Sequence, residues 1–504
     1  MNEAAATGRR GPARLRSAGG WPLLAILALA GFNFLWQLGS SNFYIDEVFS
    51  VEHSVGPLDQ VISQVSHTEV TPWPYFIALH EWLGRVGMQP EWVVRLPSAV
   101  AGIALVAAVY WAARTLVGRH AALIAATLCA VSPLVLQYAQ QARVYIFVTL
   151  AGTVAVAATV DGLKRRPQDL RLLGLGGLCA VLALWLHYSA VFVIFPLCLW
   201  VAMQRGASRR TRLVYVGCCA AAEVLSLPLL VFQRAHAFAG RFPWGTAAKV
   251  LSVVETPFDG RVGENSVDLL KLLGVALVMM SLGILAVRIR RRDFGAERYL
   301  LVALAISAPL GILVLGALGN DVMISRYSSV AAPFLLIAIA ASVSSLPRAG
   351  AAALATAAAL IALAGLVRSH QTTGFYPPTK PAATWLRAVA APSDAIVFAG
   401  GQHNGAPDVE VPFSFYLYKR PVAVPPSRVG SQPSLLFASI REHRRIWVVN
   451  ELGFGSYPLN RFRRYVNGLF RPYQYRIASL RGFRTTTTIT VFSLEPVNRA
   501  HRRT

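Results

Sequence analysis

The stretch "YIDEVFSVEHS" brings Asp46, Glu47, Glu52 and His53 together directly after an apolar run that starts at Trp21. Carboxylates and an imidazole are the groups that accept or deliver a proton near neutral pH. A helix crossing a bilayer has no use for them, because an ionisable group at the membrane edge is costly and by default marks function. Farther along, Glu69 and His67 add an acid and a second imidazole. The bland alternative for Asp46 and Glu47 is a solvated helix end whose carboxylates face water. The other titratable residues so close in sequence count against it.

The elements that must hold these residues are membrane spans. Of 504 residues, 55% are hydrophobic and 14% charged, well below the roughly 25% charged share of soluble domains. Windows of about 19 to 20 apolar residues, enough to cross the hydrocarbon core, occur about eleven times. Their centres fall near Ala28, Ala104, Thr127, Val154, Leu178, Ile194, Ala222, Val278, Ile306, Leu336 and Ala359. The net charge of +24 is split into short clusters between these runs, which makes them topology signals and argues against a nucleic-acid partner. One set of loops holds "GRRGPARLR", "RTLVGRH", "LKRRPQDLR", "QRGASRRTR", "RIRRRDFGAER" and "SSLPRAG". The positive-inside rule assigns them to the cytoplasm together with the basic residues 1–20. The other set holds the loop 41–91, "QYAQQAR", "HYS", residues 233–268 and "GNDVMISRY", and so faces outward with Arg143, His187 and Arg326. An odd number of spans sends the tail outward as well. The first span reads as an uncleaved anchor rather than a signal peptide, being long and without a small-residue cleavage site.

Within the loop 41–91, residues 58–66 and 75–83 are too short to span and suit helices lying along the interface. The five cysteines all sit in apolar runs and read as small buried hydrophobes, with no disulfide framework and no metal-type pair. The tail, residues 370–504, reads as a small α/β domain outside the membrane, following a transmembrane domain over 21–369. Its expected strands are "DAIVFAGG", "PFSFYLYKRP", "RRIWVVN" and "TTTTITVFSLE", and its expected helices "AATWLRAVA", "SLLFASIREH" and "RFRRYVNGL". The "GGQHNG" loop fits neither a dinucleotide fingerprint nor a P-loop and reads as a connecting turn.

Taken in order, "YIDE", "EVTPWPYFIALHEW", "RLPSAVAG", "SPLVLQYAQQARVY", "LHYSA" and "SRYSSVAAP" resemble the GT-C superfamily of membrane glycosyltransferases. More narrowly, the chain is similar to the bacterial branch related to protein O-mannosyltransferases and the aminoarabinose transferase of lipid A. The resemblance covers roughly residues 20–370. It implies an enzyme that moves a sugar from a polyprenyl-phosphate carrier to a hydroxyl or amine of a glycan, lipid or protein acceptor at the outer face of the lipid bilayer. By the same resemblance Asp46 matches the catalytic aspartate, Glu47 its neighbour, and Glu69 an acidic position before a proline pair. Arg143 with Tyr145, and Arg326 with Tyr327, match the segments that would hold the donor phosphate. Two positions depart from the pattern. Trp73 separates Pro72 and Pro74, and Gln141 stands where glutamate is common.

The chemistry calls for a base for the acceptor proton and fixed positive charge for the departing phosphate. Asp46 is assigned as the base, its pKa expected to rise by desolvation at the end of the apolar run. Arg143 and Arg326 are assigned to the phosphate, the alternative for each being a snorkel to headgroups. His53, His67 and His187 are candidates for the acceptor side or for accessory roles; for His187 the alternative is a hydrogen-bonded packing residue. No cofactor and no metal ligand set is assigned; a divalent cation on Asp46, Glu47 and Glu69 is the second reading. Two other functions compete with the transferase. A polyprenyl-lipid transporter or flippase would be expected to show repeated halves, and a non-catalytic cell-envelope assembly protein would leave the Asp46 loop without a purpose.

Overall fold

The computed structural model describes residues 21–165, 168–236, 257–258, 269–290, 297–318, 325–371, 378–391 and 394–399, and in the rest of the tail 402–403, 406–407, 410–418, 429–430, 438–442, 445–452, 464, 467–468, 470–484 and 488–497. The first apolar run forms α1 (Trp21–Leu35). Three short helices follow in the acidic loop: α2 (Ile45–Glu52), α3 (Leu58–Thr68) and α4 (Pro74–Val86). Then come α5 (Glu91–Leu116), α6 (Arg119–Ala130), α7 (Pro133–Ala139), α8 (Tyr145–Lys164), α9 (Leu170–Leu186), α10 (Val191–Met203) and α11 (Arg209–His236). The apolar series closes with α12 (Leu269–Arg290), α13 (Glu297–Ala317), α14 (Ala332–Ser345), entered through a 3₁₀ turn at Ser325–Ala331, and α15 (Arg348–Gln371).

Seven of these stretches are long and apolar enough to cross a membrane, α6 and α7 form a bent pair at 58°, and α1, α9 and the stretch Tyr188–Met203 are shorter apolar helices. All the expected span centres fall on this set. The bend follows from Pro133, which cannot continue the hydrogen-bond ladder of α6; Ser132 caps the new start by accepting the Val135 amide at 3.3 Å. The most enclosed spans are α8 and the stretch Arg326–Ser345, while α11, α12 and α15 lie at the periphery. Large apolar side chains such as Leu24, Phe32, Leu178, Phe195, Leu225, Val231, Met279 and Leu360 point outward, as expected where the solvent is hydrocarbon. Cys129 and Cys219 are buried, Cys218 is exposed on α11, and all five cysteines are free.

Between α8 and α9 the contact depends on a residue without a side chain. A Cβ on Gly176 would run into Thr159 Oγ1 and come within 3.0 Å of the Thr159 backbone nitrogen. That hydroxyl also shares a 2.8 Å hydrogen bond with Tyr215 of α11. Overpacking of this kind costs about 1–3 kcal/mol. Gly176→Val is accordingly expected to lower the thermal unfolding midpoint of the purified protein in detergent; an unchanged midpoint would show that the helices simply move apart.

Among the described residues the tail contributes α16 (Thr379–Val389), α17 (Glu410–Tyr418) and seven strands: β1 (Ala395–Ala399), β2 (Gln402–His403), β3 (Ala406–Pro407), β4 (Val429–Gly430), β5 (Ile446–Leu452), β6 (Tyr475–Arg484) and β7 (Thr488–Pro496). One sheet has the order β4-β1-β5-β7-β6, while β2 and β3 pair by themselves. β4, β1 and β5 are parallel, and β7 and β6 run antiparallel on the other edge. Three of the expected strands stand as β1, β5 and β7, and "AATWLRAVA" lies in α16. "PFSFYLYKRP" does not form a strand: residues 410–418 are helical. Its apolar residues alternate like a strand, but Phe413, Ser414, Phe415, Tyr416 and Leu417 are all buried. A segment enclosed on every side has no exposed face from which a period can be read. Residues 438–441 of "SLLFASIREH" are helical; most of "RFRRYVNGL", of "GGQHNG" and of residues 233–268 lies outside the described residues.

Candidate active site

The acidic stretch begins α2, and Glu47 fixes that start by reaching back to accept the Tyr44 amide at 3.0 Å. Both acids lie in the first turn of α2, where the helix dipole favours negative charge. Consecutive helical positions point about 100° apart, so the two carboxylates part company. Glu47 turns inward and is 0% exposed. It receives the guanidinium of Arg95 through Nε and Nη2, each at 2.8 Å, and the Ala142 amide at 2.9 Å. Arg95, 1% exposed, spends its remaining donor capacity on the carbonyl oxygens of Leu38, Ser41 and Asn42 at 3.0, 3.0 and 2.9 Å. The pair thus joins the segment between α1 and α2, α2 itself, α5 and the turn before α8, and Glu47 has no face open to a substrate.

Asp46 turns the other way. Its carboxylate is ion-paired with Arg326, and both side chains are partly open. Arg143 donates through Nη1 to the Asp46 carbonyl oxygen at 2.9 Å and to Ser50 Oγ at 2.8 Å, while its Nε is buried without a partner among the described residues. Glu69 lies 3.9 Å from Arg143 and 3.2 Å from Nδ1 of His53. His187 is buried, hydrogen-bonded to Ser189 Oγ at 2.8 Å. Its ring centre lies 5.4 Å from that of Tyr145 and 5.2 Å from that of Tyr327, and Tyr145 in turn carries the Arg143 guanidinium 5.8 Å from its centre.

Asp46, Glu69, Arg143, Arg326, Tyr145, Tyr327, His53 and His187 therefore form one connected cluster. His67 does not join it. Its Nδ1 donates to the Ser63 carbonyl oxygen, 2.7 Å away, and its ring faces Phe232 and His236 of α11. The cluster also does not gather Asp46, Glu47 and Glu69 as cation ligands, and no group of three metal-type ligands occurs among the described residues. Arg95 and Ser50 were not singled out from the sequence. For Arg95 the signal was present, an arginine in the first turns of a long apolar run.

The electrostatics reverse one expectation. Burial pushes the Asp46 carboxyl up, but Arg326 and Arg143 outweigh it and hold the group below its ordinary 3.8. Glu52, at the other end of α2, goes the opposite way: burial pushes it up to about 7 against the opposing effect of His53. Burial, then Arg143 and Arg326, pull His187 down to about 3, so it is neutral at any working pH. The cluster thus combines an ionised carboxylate, two guanidinium groups and a neutral imidazole, with Asp46 and Arg326 partly exposed.

This arrangement of spans with an acidic first loop is the GT-C fold of membrane glycosyltransferases. The structure is similar to that of ArnT from Cupriavidus metallidurans bound to undecaprenyl phosphate, with TM-score 0.56 and 12% identity over 94% of this chain and 98% of that one. The apo form of the same protein gives TM-score 0.55 and 13% identity over the same shares. The oligosaccharyltransferase of Archaeoglobus fulgidus in its apo form gives TM-score 0.50 and 12% identity over 87% of this chain and 70% of that one. Residues 71–232 match the family described as dolichyl-phosphate-mannose-protein mannosyltransferase. None of the curated proteins matches the sequence.

Proposed function

We propose that this chain is a membrane glycosyltransferase that moves a sugar from a polyprenyl-phosphate carrier to a hydroxyl or amine of a glycan, lipid or protein acceptor. One observation carries the reading: Asp46 meets arginines 97 and 280 residues away in sequence, a juxtaposition that only the fold makes. A structural neighbour that holds undecaprenyl phosphate and the family match over 71–232 support it.

In the free site Asp46 neutralises Arg326. A donor phosphate brought to Arg326 and Arg143 competes for the same guanidinium groups, and as they turn to it the restraint on the Asp46 pKa weakens. Asp46 then accepts the acceptor proton as the acceptor oxygen or nitrogen bonds to the anomeric carbon. The bond from that carbon to the phosphate oxygen breaks, its electron pair leaving with the phosphate, whose charge the arginines stabilise. Glu69 and His53, next to Arg143, are then candidates to meet the acceptor. Glu47 positions the α2 turn and takes no part in proton transfer.

Membranes containing the chain, supplied with a panel of radiolabelled undecaprenyl-phosphate hexoses, pentoses and aminopentoses, are expected to form a new glycosidic product. A transporter would move the lipid without forming one. If the arginines hold the phosphate, Arg143→Ala and Arg326→Ala weaken donor binding by about tenfold to a hundredfold, the loss of a charge-assisted hydrogen bond worth roughly 1.5–3 kcal/mol. Lysine rescues incompletely, lacking the planar fork. Unchanged donor affinity in both alanine variants would leave these arginines with headgroup contacts alone.

The reading also requires residues 1–20 in the cytoplasm and the tail outside. A single cysteine at position 450 on a cysteine-free background is then labelled by an impermeant maleimide from the outer side; labelling only after access to the cytoplasmic side contradicts the topology.

A further inference from the structure

The C-terminal part of the chain touches the entry to α2 through a buried polar group that the reaction scheme does not use. Glu91, in the first turn of α5, is 2% exposed. Its carboxylate accepts from Lys380 Nζ at 2.7 and 2.9 Å and from the Tyr416 hydroxyl at 3.0 Å. The same hydroxyl accepts the Phe43 amide at 2.7 Å. The Phe43 ring stacks on Tyr416 with centres 6.4 Å apart, meets Phe415 edge-on at 5.8 Å, and carries the Arg95 guanidinium 5.3 Å from its centre. Phe43 is followed by Tyr44, the residue before α2, whose amide is held by Glu47.

A phenol has one proton to give and lone pairs to receive one, and Tyr416 uses both capacities. Burial first, then the Glu91 charge, push this phenol far above its ordinary range. It therefore stays protonated and donates to Glu91, leaving its oxygen to take the Phe43 amide. α16 supplies Lys380, α17 supplies Tyr416, α5 supplies Glu91, and what they jointly hold is the strand of chain that leads into Asp46. Around the buried Glu91 and Tyr416 the loss of either member is costly, because the groups left behind have no water to replace it.

We infer that Tyr416 and Glu91 are positioning residues, through which the C-terminal part of the chain latches the Phe43–Tyr44 entry to α2 and so sets where Asp46 stands. The effect on rate rests on the transferase reading above; the contact itself does not. A base must meet the proton it takes at hydrogen-bond distance, and a displacement of about 1 Å at such a site can cost up to a hundredfold in rate. The latch requires the C-terminal part for turnover even where it touches neither donor nor acceptor.

The test uses purified full-length protein and Tyr416→Phe, which keeps the ring stacking and removes only the hydroxyl, with Glu91→Gln beside it. Hydrogen exchange is followed in peptides covering residues 43–50 and 145–160, and kcat and donor KM are measured with the undecaprenyl-phosphate sugar that the wild type uses. Faster exchange confined to 43–50, with kcat lowered about tenfold and donor KM unchanged, is the expected result. Unchanged exchange over 43–50 overturns the latch. Faster exchange over both regions, together with a lower unfolding midpoint, overturns it in favour of a general role in stability, and faster exchange over 43–50 with unchanged kcat overturns the positioning role. Should wild type transfer no sugar from any member of the panel while exchange over 43–50 alone responds, the transferase reading fails and the latch stands.

Discussion

Asp46→Asn is expected to lower the initial transfer rate at saturating donor by on the order of a hundredfold or more, the usual range for loss of a positioned base. The substitution keeps the shape of the side chain but leaves an amide that cannot take the acceptor proton. Because Arg326 loses its ion-pair partner, it is freer to meet the donor phosphate, so donor KM is expected to stay level or to fall. A fall in kcat with KM level or lower separates a lost base from a lost binding contact. The pH behaviour has a definite sign. The folded-state pKa of Asp46 lies below its ordinary 3.8, so its ion pairs contribute fully to stability above that value and are lost as pH falls through the lowered one. Between about pH 5 and 8 the wild type and Asp46→Asn should therefore show a constant difference in unfolding midpoint. Glu52→Gln removes a group pushed up to about 7 from the far end of α2, and is expected to change the rate by much less. Near-normal turnover in Asp46→Asn would remove Asp46 as the base.

The second large effect is on the fold around the site. Glu47→Ala leaves the Arg95 charge and the Tyr44 and Ala142 amides buried without their acceptor, and breaking one side of a buried ion pair typically costs about 3–5 kcal/mol. Arg95→Met leaves the buried Glu47 carboxylate without its counter-charge and three carbonyl oxygens without the guanidinium donor, and should cost a similar amount. The double variant is expected to lose less than the sum of the two, because neither charge is then left alone. Thermal unfolding of the four proteins in one detergent gives the coupling directly. Strict additivity would mean that the two side chains do not depend on each other, against the bidentate geometry.

Much of this is legible in the sequence because it depends on local quantities. Span length is a property of the bilayer, and each apolar run is long enough to report it without knowledge of its neighbours. Asp46 was legible for the same reason, as a charge at the end of such a run. What separates it from Glu47 is a partner 48 residues away, Arg95, and no spacing within α2 contains that fact. The direction of the Asp46 pKa was misjudged on the same ground: desolvation is implied by the apolar run beside it, whereas the arginines that outweigh it arrive from α14's entry turn and from the turn before α8. Tyr416 was hidden most completely, since a hydroxyl in an aromatic stretch carries no mark of what it will touch.

Arg95 ties Glu47 and the carbonyl oxygens of Leu38, Ser41 and Asn42 to the top of α5, a helix of 26 residues that at 1.5 Å per residue is about 39 Å long. The level of the Asp46 carboxylate along the bundle is thereby set from α5. Adding or removing one residue in α5 just after Arg95 would turn that anchor by about 100°, carrying the Asp46 carboxylate away from Arg326.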